Sequence, residues 1–481
     1  MTPEQVRGLT PAFADFLQPF LFCCGYTQTF DLLGVYCRGL LSDLPRKTAE
    51  PIALASGTAV RTLQEFLRDH VWDYDQVRSL LQQHVAATLA DQPSGDLGTV
   101  GIADETGTAK RGKQTPGVQR QYCGELGKIE NCIVTVHLGV SRGRYKTLVD
   151  ADLFLPEAWD QDRERCRAAG IPDDLRYRPK WQIVLEQLDR SRANHILCDW
   201  LTFDENYGEK PDFLTGLDER RQRYVGEVPK SMPCFMVLPR GRRPRRGWTG
   251  HRADDLVCYS PVFRRQSWLR VRLSRQTLAP QVWEVKAARV WLARGRRPTP
   301  RKYWLIVARN VATGEVKYFV SNAPAHASLK RLLRVAFCRW NVEHLFRVSK
   351  TEIGFRHFEG RHYVGLMRHL VLCLLTLAFV AEQTERLRGE KKSGGNTGAG
   401  VPSPEPAVCG VAGAPTGDGG RGAQGVRHKL LPAAQPRGTG VPAAAPGRFV
   451  SGRRAGRVLI KALPPVPKTE SEIKGEAAVA L

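Results

Sequence analysis

Apolar side chains recur at helical spacing along residues 1–95: Phe13, Phe16, Leu17, Phe20 and Leu21, then Leu63, Phe66, Leu67 and Val71, then Leu80, Leu81 and Val85. Pro51 and Gly57 punctuate the middle of this run. From residue 96 the pattern becomes strand-like. Gly98-Thr-Val-Gly-Ile-Ala-Asp104 reads as a short strand ending in an acid. Ile129–Val140 and Tyr145–Phe154 read as two strands around the turn Ser141–Arg144, followed by a helix over Lys180–Arg192. A further strand, His195–Phe203, again ends in an acid, Asp204. Strands alternating with helices predict an α/β domain.

Residues 229–300 are strand-like and basic, with Pro and Gly holding open the run Leu238-Pro-Arg-Gly-Arg-Arg-Pro-Arg-Arg-Gly-Trp248. Tyr303–Arg309 and Val316–Ser321 predict a hairpin, Ser328–Ile353 one long helix, and Tyr363–Leu387 a second. Within the last, the apolar run Leu370–Ala381 is broken by Thr376. It falls short of the roughly 20 residues a bilayer requires, so it predicts a buried helix. Beyond 390 the chain is Gly, Pro, Ala and Arg without a hydrophobic period, which predicts a disordered tail over 391–481.

Composition adds a partner class. The 481 residues suggest about three domains. Seventy-two Lys and Arg against 48 Asp and Glu give a net charge of +24, a field that gathers polyanions such as nucleic acid. Arg61, Arg68 and Arg78 in the helical segment are open to two readings, a grip on DNA or a solvated helix face. The 12 cysteines include no C-x-x-C pair, which argues against a zinc module or a disulfide framework and for reduced thiols in the cytoplasm. The start MTPEQVRGLTPAF lacks a signal peptide's pattern, and no membrane association is expected.

No P-loop, dinucleotide fingerprint, H-E-x-x-H or G-x-S-x-G is present, so nucleotide hydrolysis, redox chemistry and acyl transfer lack a foothold. The histidines lack metal spacing, and His357, His362 and His369 read as surface or packing residues. Three acids remain as candidates. Phosphodiester cleavage with two divalent ions requires clustered hard oxygen ligands, and carboxylates at neighbouring strand ends supply them on a rigid frame. Asp104 and Asp204 fit this pattern, although an acid at a strand end also serves as a turn residue or helix cap. Asp199, read as mid-strand, and Glu205, read as facing away, are discounted. Glu343 has Arg339 four residues before it, Arg347 four after and Lys350 seven after, which places all four on one helix face. That ladder serves either as surface ion pairs or as a metal-ligating Glu beside phosphate-holding cations.

Arg339, three residues, Glu343, six residues and Lys350 resemble the R-(3)-E-(6)-K part of the signature of DDE transposases of bacterial insertion sequences. Asp104 in IADETG and Asp204 in FDENYG are similar to that family's first and second acids. Gly117–Tyr122, Lys128–Asn131, Phe319–Pro324 and Gly360-Arg361 resemble further pieces of it. The full signature has a Tyr three residues before its Arg, whereas this chain has Ala336 there. The resemblance implies an α/β, RNase H-like catalytic core with a β-rich insertion between the second Asp and the Glu. It further implies two Mg²⁺ (or Mn²⁺) ions on Asp104, Asp204 and Glu343, and Arg339 and Lys350 on DNA; Arg347, on the same helix face, is a further expected DNA contact. The basic run adds Arg243, Arg245 and Arg246 as expected DNA contacts, and Trp248, Trp268, Trp283 and Trp291 suit either base stacking or core packing.

The expected layout is a helical DNA-binding domain over 1–95, the core's first part over 96–228, the insertion over 229–300, the core's second part over 301–390, and the tail. The substrate implied is double-stranded DNA, both element ends and target, handled by a homodimer or higher assembly. Two other readings stay open: a catalytically inactive, transposase-derived DNA-binding protein, and an RNase H-like nuclease without strand transfer.

Overall fold

The computed structural model describes residues 3–238, 250–275, 278–295 and 297–393. The expected tail over 391–481 thus falls almost wholly outside the described residues.

Five strands form the first sheet: β1 (Val100–Ala109), β2 (Gln119–Cys123), β3 (Lys128–Arg142), β4 (Tyr145–Leu153) and β5 (Trp200–Thr202). Their order is β2-β3-β1-β5, with β4 also on β3. β1 runs antiparallel to β3 and parallel to β5. The expectation that β1 stops at Asp104 is corrected, because the strand continues to Ala109 and pairs residue for residue with β3, Asp104 opposite His137. Glu105-Thr-Gly-Thr108 carries no apolar residue to announce a strand, but its two β-branched threonines suit one, and pairing with β3 draws the segment into the ladder. The strand expected over His195–Phe203 shrinks to Trp200–Thr202 for the opposite reason: His195 adopts φ 68°, which no strand accommodates.

The second sheet comprises β6 (Val225–Val228), β7 (Pro233–Phe235), β8 (His251–Arg252), β9 (Leu269–Arg275), β10 (Leu278–Arg294), β11 (Arg297–Pro298), β12 (Tyr303–Asn310) and β13 (Val316–Ser321). Its path is β6-β13-β12-β10-β7-β8. The β-rich character expected over 229–300 is therefore present, with short helices at Ala253–Tyr259 and Pro261–Arg264, and the same sheet runs on through the β12–β13 hairpin. β6 joins the two sheets, through a parallel bridge between Leu201 and Tyr224 and a bond from the Glu227 N–H to the Phe203 carbonyl at 3.0 Å.

The helix Tyr363–Ser393 is apolar on all sides through its middle, and such a helix must be enclosed. By length and composition it could cross a membrane, yet 89% of its most apolar window is buried in the fold. It packs on β4 and on the N-terminal helices Thr27–Leu41, Val60–Arg68 and Tyr74–Asp91. Phe13 meets Phe379 at 4.8 Å, and the Tyr36 hydroxyl bonds to His369 at 2.8 Å inside this core. His369 is thus a packing residue, while His357 accepts the Lys47 N–H at 3.0 Å.

Arg78 fits neither reading made of it. It is buried, 3.4 Å from both Asp150 and Asp152 of β4, which also receive Arg190 from the helix Lys180–Ala193. Gln82 and Gln187 each donate to one of these carboxylates at 3.0 Å. Arg61 and Arg68 are exposed and paired with Glu65 and Asp69.

Candidate active site

The β1–β5 ladder brings the two aspartates together. Its registered pairs are Val100 with Trp200, Gly101 with Leu201 and Ile102 with Thr202. Asp104 and Asp204 each lie two residues beyond the last pair, on the same side of a pleat whose side chains alternate with period two. Asp104 takes the Glu105 N–H on one oxygen at 2.8 Å. Asp204 caps the one-turn helix Glu205–Gly208, accepting the N–H groups of Asn206 at 3.1 Å and Tyr207 at 3.4 Å and the Asn206 amide at 3.0 Å. Burial pushes the Asp104 carboxyl up, with Arg339 opposing and Asp204 adding, to about 7. Burial and then the neighbouring Glu105 raise Asp204 as well. Two acids raised by desolvation and by mutual repulsion mark a place built to receive positive charge.

That charge is supplied by Arg339. The expected single helix Ser328–Ile353 is corrected to three pieces, Leu329–Phe337, Trp340–Val348 and a π-turn at Ser349–Ile353, with a break at Cys338-Arg339. The break is packed: Phe337 stacks near Trp283 at 4.6 Å and Trp340 at 4.2 Å, and the buried Ala336 offers its carbonyl to Thr202 of β5 at 3.3 Å. It turns Arg339 inward, where its guanidinium donates to Asp104 at 3.3 Å and to Glu343 at 3.4 Å. Burial lowers the guanidinium's pKa, and the carboxylates of Asp104, Glu343, Glu227 and Asp204 more than reverse this. Glu343 itself stands open, its side chain 58% exposed against 14% for Asp104.

Arg347 donates to His344 at 2.8 Å, and Lys350 sits 3.7 Å from Glu125 of the β2–β3 turn. Lys350 lies in the π-turn that follows the helix carrying Glu343 and Arg347, with Arg339 at that helix's start. Arg243, Arg245, Arg246 and Trp248 lie outside the described residues. Trp283 is a core residue, while Trp268 is half-buried between Lys286 at 4.9 Å and Arg309 at 4.6 Å, and Trp291 lies under Lys302 at 4.2 Å. Asp199, read as mid-strand, precedes β5 and accepts the Thr99 N–H at 2.9 Å; Glu205 faces solvent.

Two residues, Glu105 and Tyr207, went unnoticed in the sequence. Glu105 accepts the Tyr207 hydroxyl at 2.9 Å and the Lys180 ammonium, which places a further carboxylate beside the pair. The signal for it lay in the doublet Asp104-Glu105, where strand alternation argues for opposite faces and the site gathers the functional groups of both.

Gly208 has a stated reason to be glycine. A Cβ there would lie 1.9 Å from the Glu227 carbonyl oxygen, so the one-turn helix can rest on β6 only without a side chain. Gly208→Ala is expected to cost about 1–3 kcal/mol of stability and to weaken cleavage by shifting Asp204. Thermal unfolding and a cleavage assay on the same preparation check both, and a variant unchanged in both would contradict the close approach.

Hard oxygen donors set side by side at a joint between rigid strands suit divalent cations in their chemistry. Among the described residues, no three His, Cys, Asp or Glu side chains converge as a metal-holding group, and Arg339 bridges Asp104 and Glu343.

A family model described as DDE superfamily endonuclease matches residues 19–289, more than half of the chain. The chain belongs to the DDE superfamily of endonucleases. The matched region of this DDE endonuclease takes in Asp104, Asp204, Glu105 and Tyr207 and ends before Glu343. The probable transposase for insertion sequence element IS701 of Microchaete diplosiphon is 27% identical over 341 residues, 70% of this chain and 77% of that protein.

Proposed function

We propose that this DDE endonuclease is a transposase of insertion-sequence type that cuts DNA at element ends and joins the freed 3′ ends to target DNA. The observation that carries the reading is the β1–β5 register, which sets Asp104 and Asp204 level with each other 100 residues apart in sequence. On this reading the strand order supports an RNase H-like core interrupted by the β-rich insertion, with residues 1–95 as a helical DNA-binding segment.

Asp104 and Asp204 would hold two divalent ions, Mg²⁺ or Mn²⁺, with Glu343 as the third ligand. Such ions, when bound, activate the attacking oxygen and stabilise the leaving one. The chain's own contribution is placement. Asp104 is fixed by the β1–β3 ladder, Asp204 by the helix it caps, and Glu343 by a helix whose preceding turn is packed on β5. Arg339 bridges Asp104 and Glu343; on this reading it yields that place to the ions when they bind and, with Lys350 and Arg347, turns to phosphates near the cut. Two ends must be processed together, so the active form is a dimer or higher assembly on DNA. Its place of action is the cytoplasm, at the bacterial nucleoid.

The test is incubation of the protein with Mg²⁺, DNA bearing the gene's flanking ends and a target plasmid. Joined products support the transposase. Cuts without joining would replace it by a nuclease, and binding without cuts by an inactive derivative. A second expectation concerns the net charge of +24. DNA affinity should fall about a thousand-fold or more between roughly 50 and 200 mM salt, as for an interface of six to ten phosphate contacts. Anisotropy titrations check this, and an affinity indifferent to salt would exclude a phosphate-dominated interface.

A further inference from the structure

The parallel ladder between β1 and β5 ends at Ile102 and Thr202, two residues short of each aspartate. Beyond it, backbone pairing no longer sets the separation of Asp104 from Asp204. A side-chain bond spans this gap. Tyr207 is 2% exposed, and its hydroxyl donates to Oε2 of Glu105 at 2.9 Å. Glu105 is the neighbour of Asp104 in β1, and Tyr207 belongs to the one-turn helix that Asp204 caps. The bond therefore closes a ring through Asp104, Glu105, Tyr207 and Asp204.

Everything around the bond keeps it in place. Gly208 seats the helix against the Glu227 carbonyl of β6, and the Tyr207 ring lies 5.6 Å from Phe213. Oε1 of Glu105 receives the Lys180 ammonium, which offsets a charge that would otherwise add to the repulsion between the aspartates. Packing alone would be served by Phe at 207. A buried hydroxyl is tolerated there because it has a partner, while Glu105 keeps Lys180 and partial access to solvent if that donor is removed.

We infer that Tyr207, through its hydrogen bond to Glu105, is a positioning residue that sets the Asp104–Asp204 pair for divalent-cation binding. The inference rests on the metal-dependent reading above. It concerns the chain's own carboxylates, so it can be tested without turnover.

The measurement is Mn²⁺ binding to the full-length protein without DNA, by calorimetric titration, in wild type, Asp204→Asn, Tyr207→Phe, Glu105→Ala and the double variant Tyr207→Phe/Glu105→Ala. Tyr207→Phe is expected to weaken Mn²⁺ binding about three- to tenfold, less than the loss of a partner bonded directly to a ligand. Its melting temperature and DNA affinity should stay near wild type, and its cleavage loss should fall on kcat rather than KM. Glu105→Ala removes the same bond together with the Lys180 pair, so its loss sets the limit, and adding Tyr207→Phe to it should cost nothing further, the signature of one shared bond. Wild-type Mn²⁺ affinity in Tyr207→Phe, or additive losses in the double variant, would overturn the positioning role. Asp204→Asn separates the two ideas. If it binds Mn²⁺ as well as wild type, the metal reading falls and the strut with it; if it loses binding while Tyr207→Phe keeps it, the strut alone falls.

Discussion

Asp104→Asn is expected to remove Mg²⁺-dependent cleavage by at least about a thousand-fold, since a lost metal ligand forfeits several kcal/mol of transition-state stabilisation. Asp204→Asn should do the same. DNA affinity should stay within about threefold of wild type in both, because phosphate contacts dominate such affinities. The two effects separate because the aspartates lie at a joint between strands, while the cations that would meet phosphate sit on other elements. Asn preserves the shape of Asp and, at position 204, one acceptor for the helix N–H groups. A folding defect is therefore not the expected cause of lost activity, and melting curves beside the cleavage assay verify that. Cleavage within tenfold of wild type in either variant would remove that residue from the reaction.

The second large effect concerns the joint between the N-terminal helices and the catalytic sheet. Arg78→Met keeps the aliphatic stem but leaves Asp150, fully buried, and Asp152 with Arg190 as their remaining cation. Breaking a buried ionic network by removing one partner costs about 3–5 kcal/mol. Burial alone would push the Asp152 carboxyl up, yet Arg190 and Arg78 together hold it below its ordinary range. Because its native pKa is depressed, the carboxylate's stabilising contribution is present above the unfolded pKa and fades as pH falls through the native one. The urea midpoint of Arg78→Met should accordingly drop strongly at neutral pH, with the difference from wild type narrowing in acid. A loss below about 1 kcal/mol would mean that water or Arg190 replaces the missing charge.

Much of this was legible from local pattern. The N-terminal helices, β3, β4, the hairpin of β12 and β13 and the buried C-terminal helix all follow from apolar periodicity that tertiary structure reinforces. Departures occur where distant residues decide. β1 continues past Asp104 because the fifteen-residue β3 reaches beyond it and pairs with β1 as far as Ala109, although Glu105-Thr-Gly-Thr108 has no apolar alternation. The long helix breaks at Cys338-Arg339, where Trp283 from β10 packs on Phe337. Arg78 looked like a surface cation because the two acids that bury it, Asp150 and Asp152, lie over 70 residues away in sequence, and only Asp75 is a neighbour. The candidate site followed the same rule: Asp104, Asp204 and Glu343 stood out through a resemblance to a known signature, while Glu105 and Tyr207 emerged only where the β1–β5 ladder brings their segments side by side.

Glu343 carries the central claim most sharply, because it is the most exposed of the three acids, reaches Asp104 only across Arg339 and lies outside the matched family region. The direct measurement is Mg²⁺-dependent cleavage of DNA carrying the flanking ends of this gene, wild type beside Glu343→Gln. The account predicts metal-dependent cuts at the ends in wild type and their loss in the variant, with DNA binding retained. Equal cutting by both proteins would contradict Glu343 as the third ligand, and metal-dependent binding without any cut in wild type would contradict the transposase reading itself.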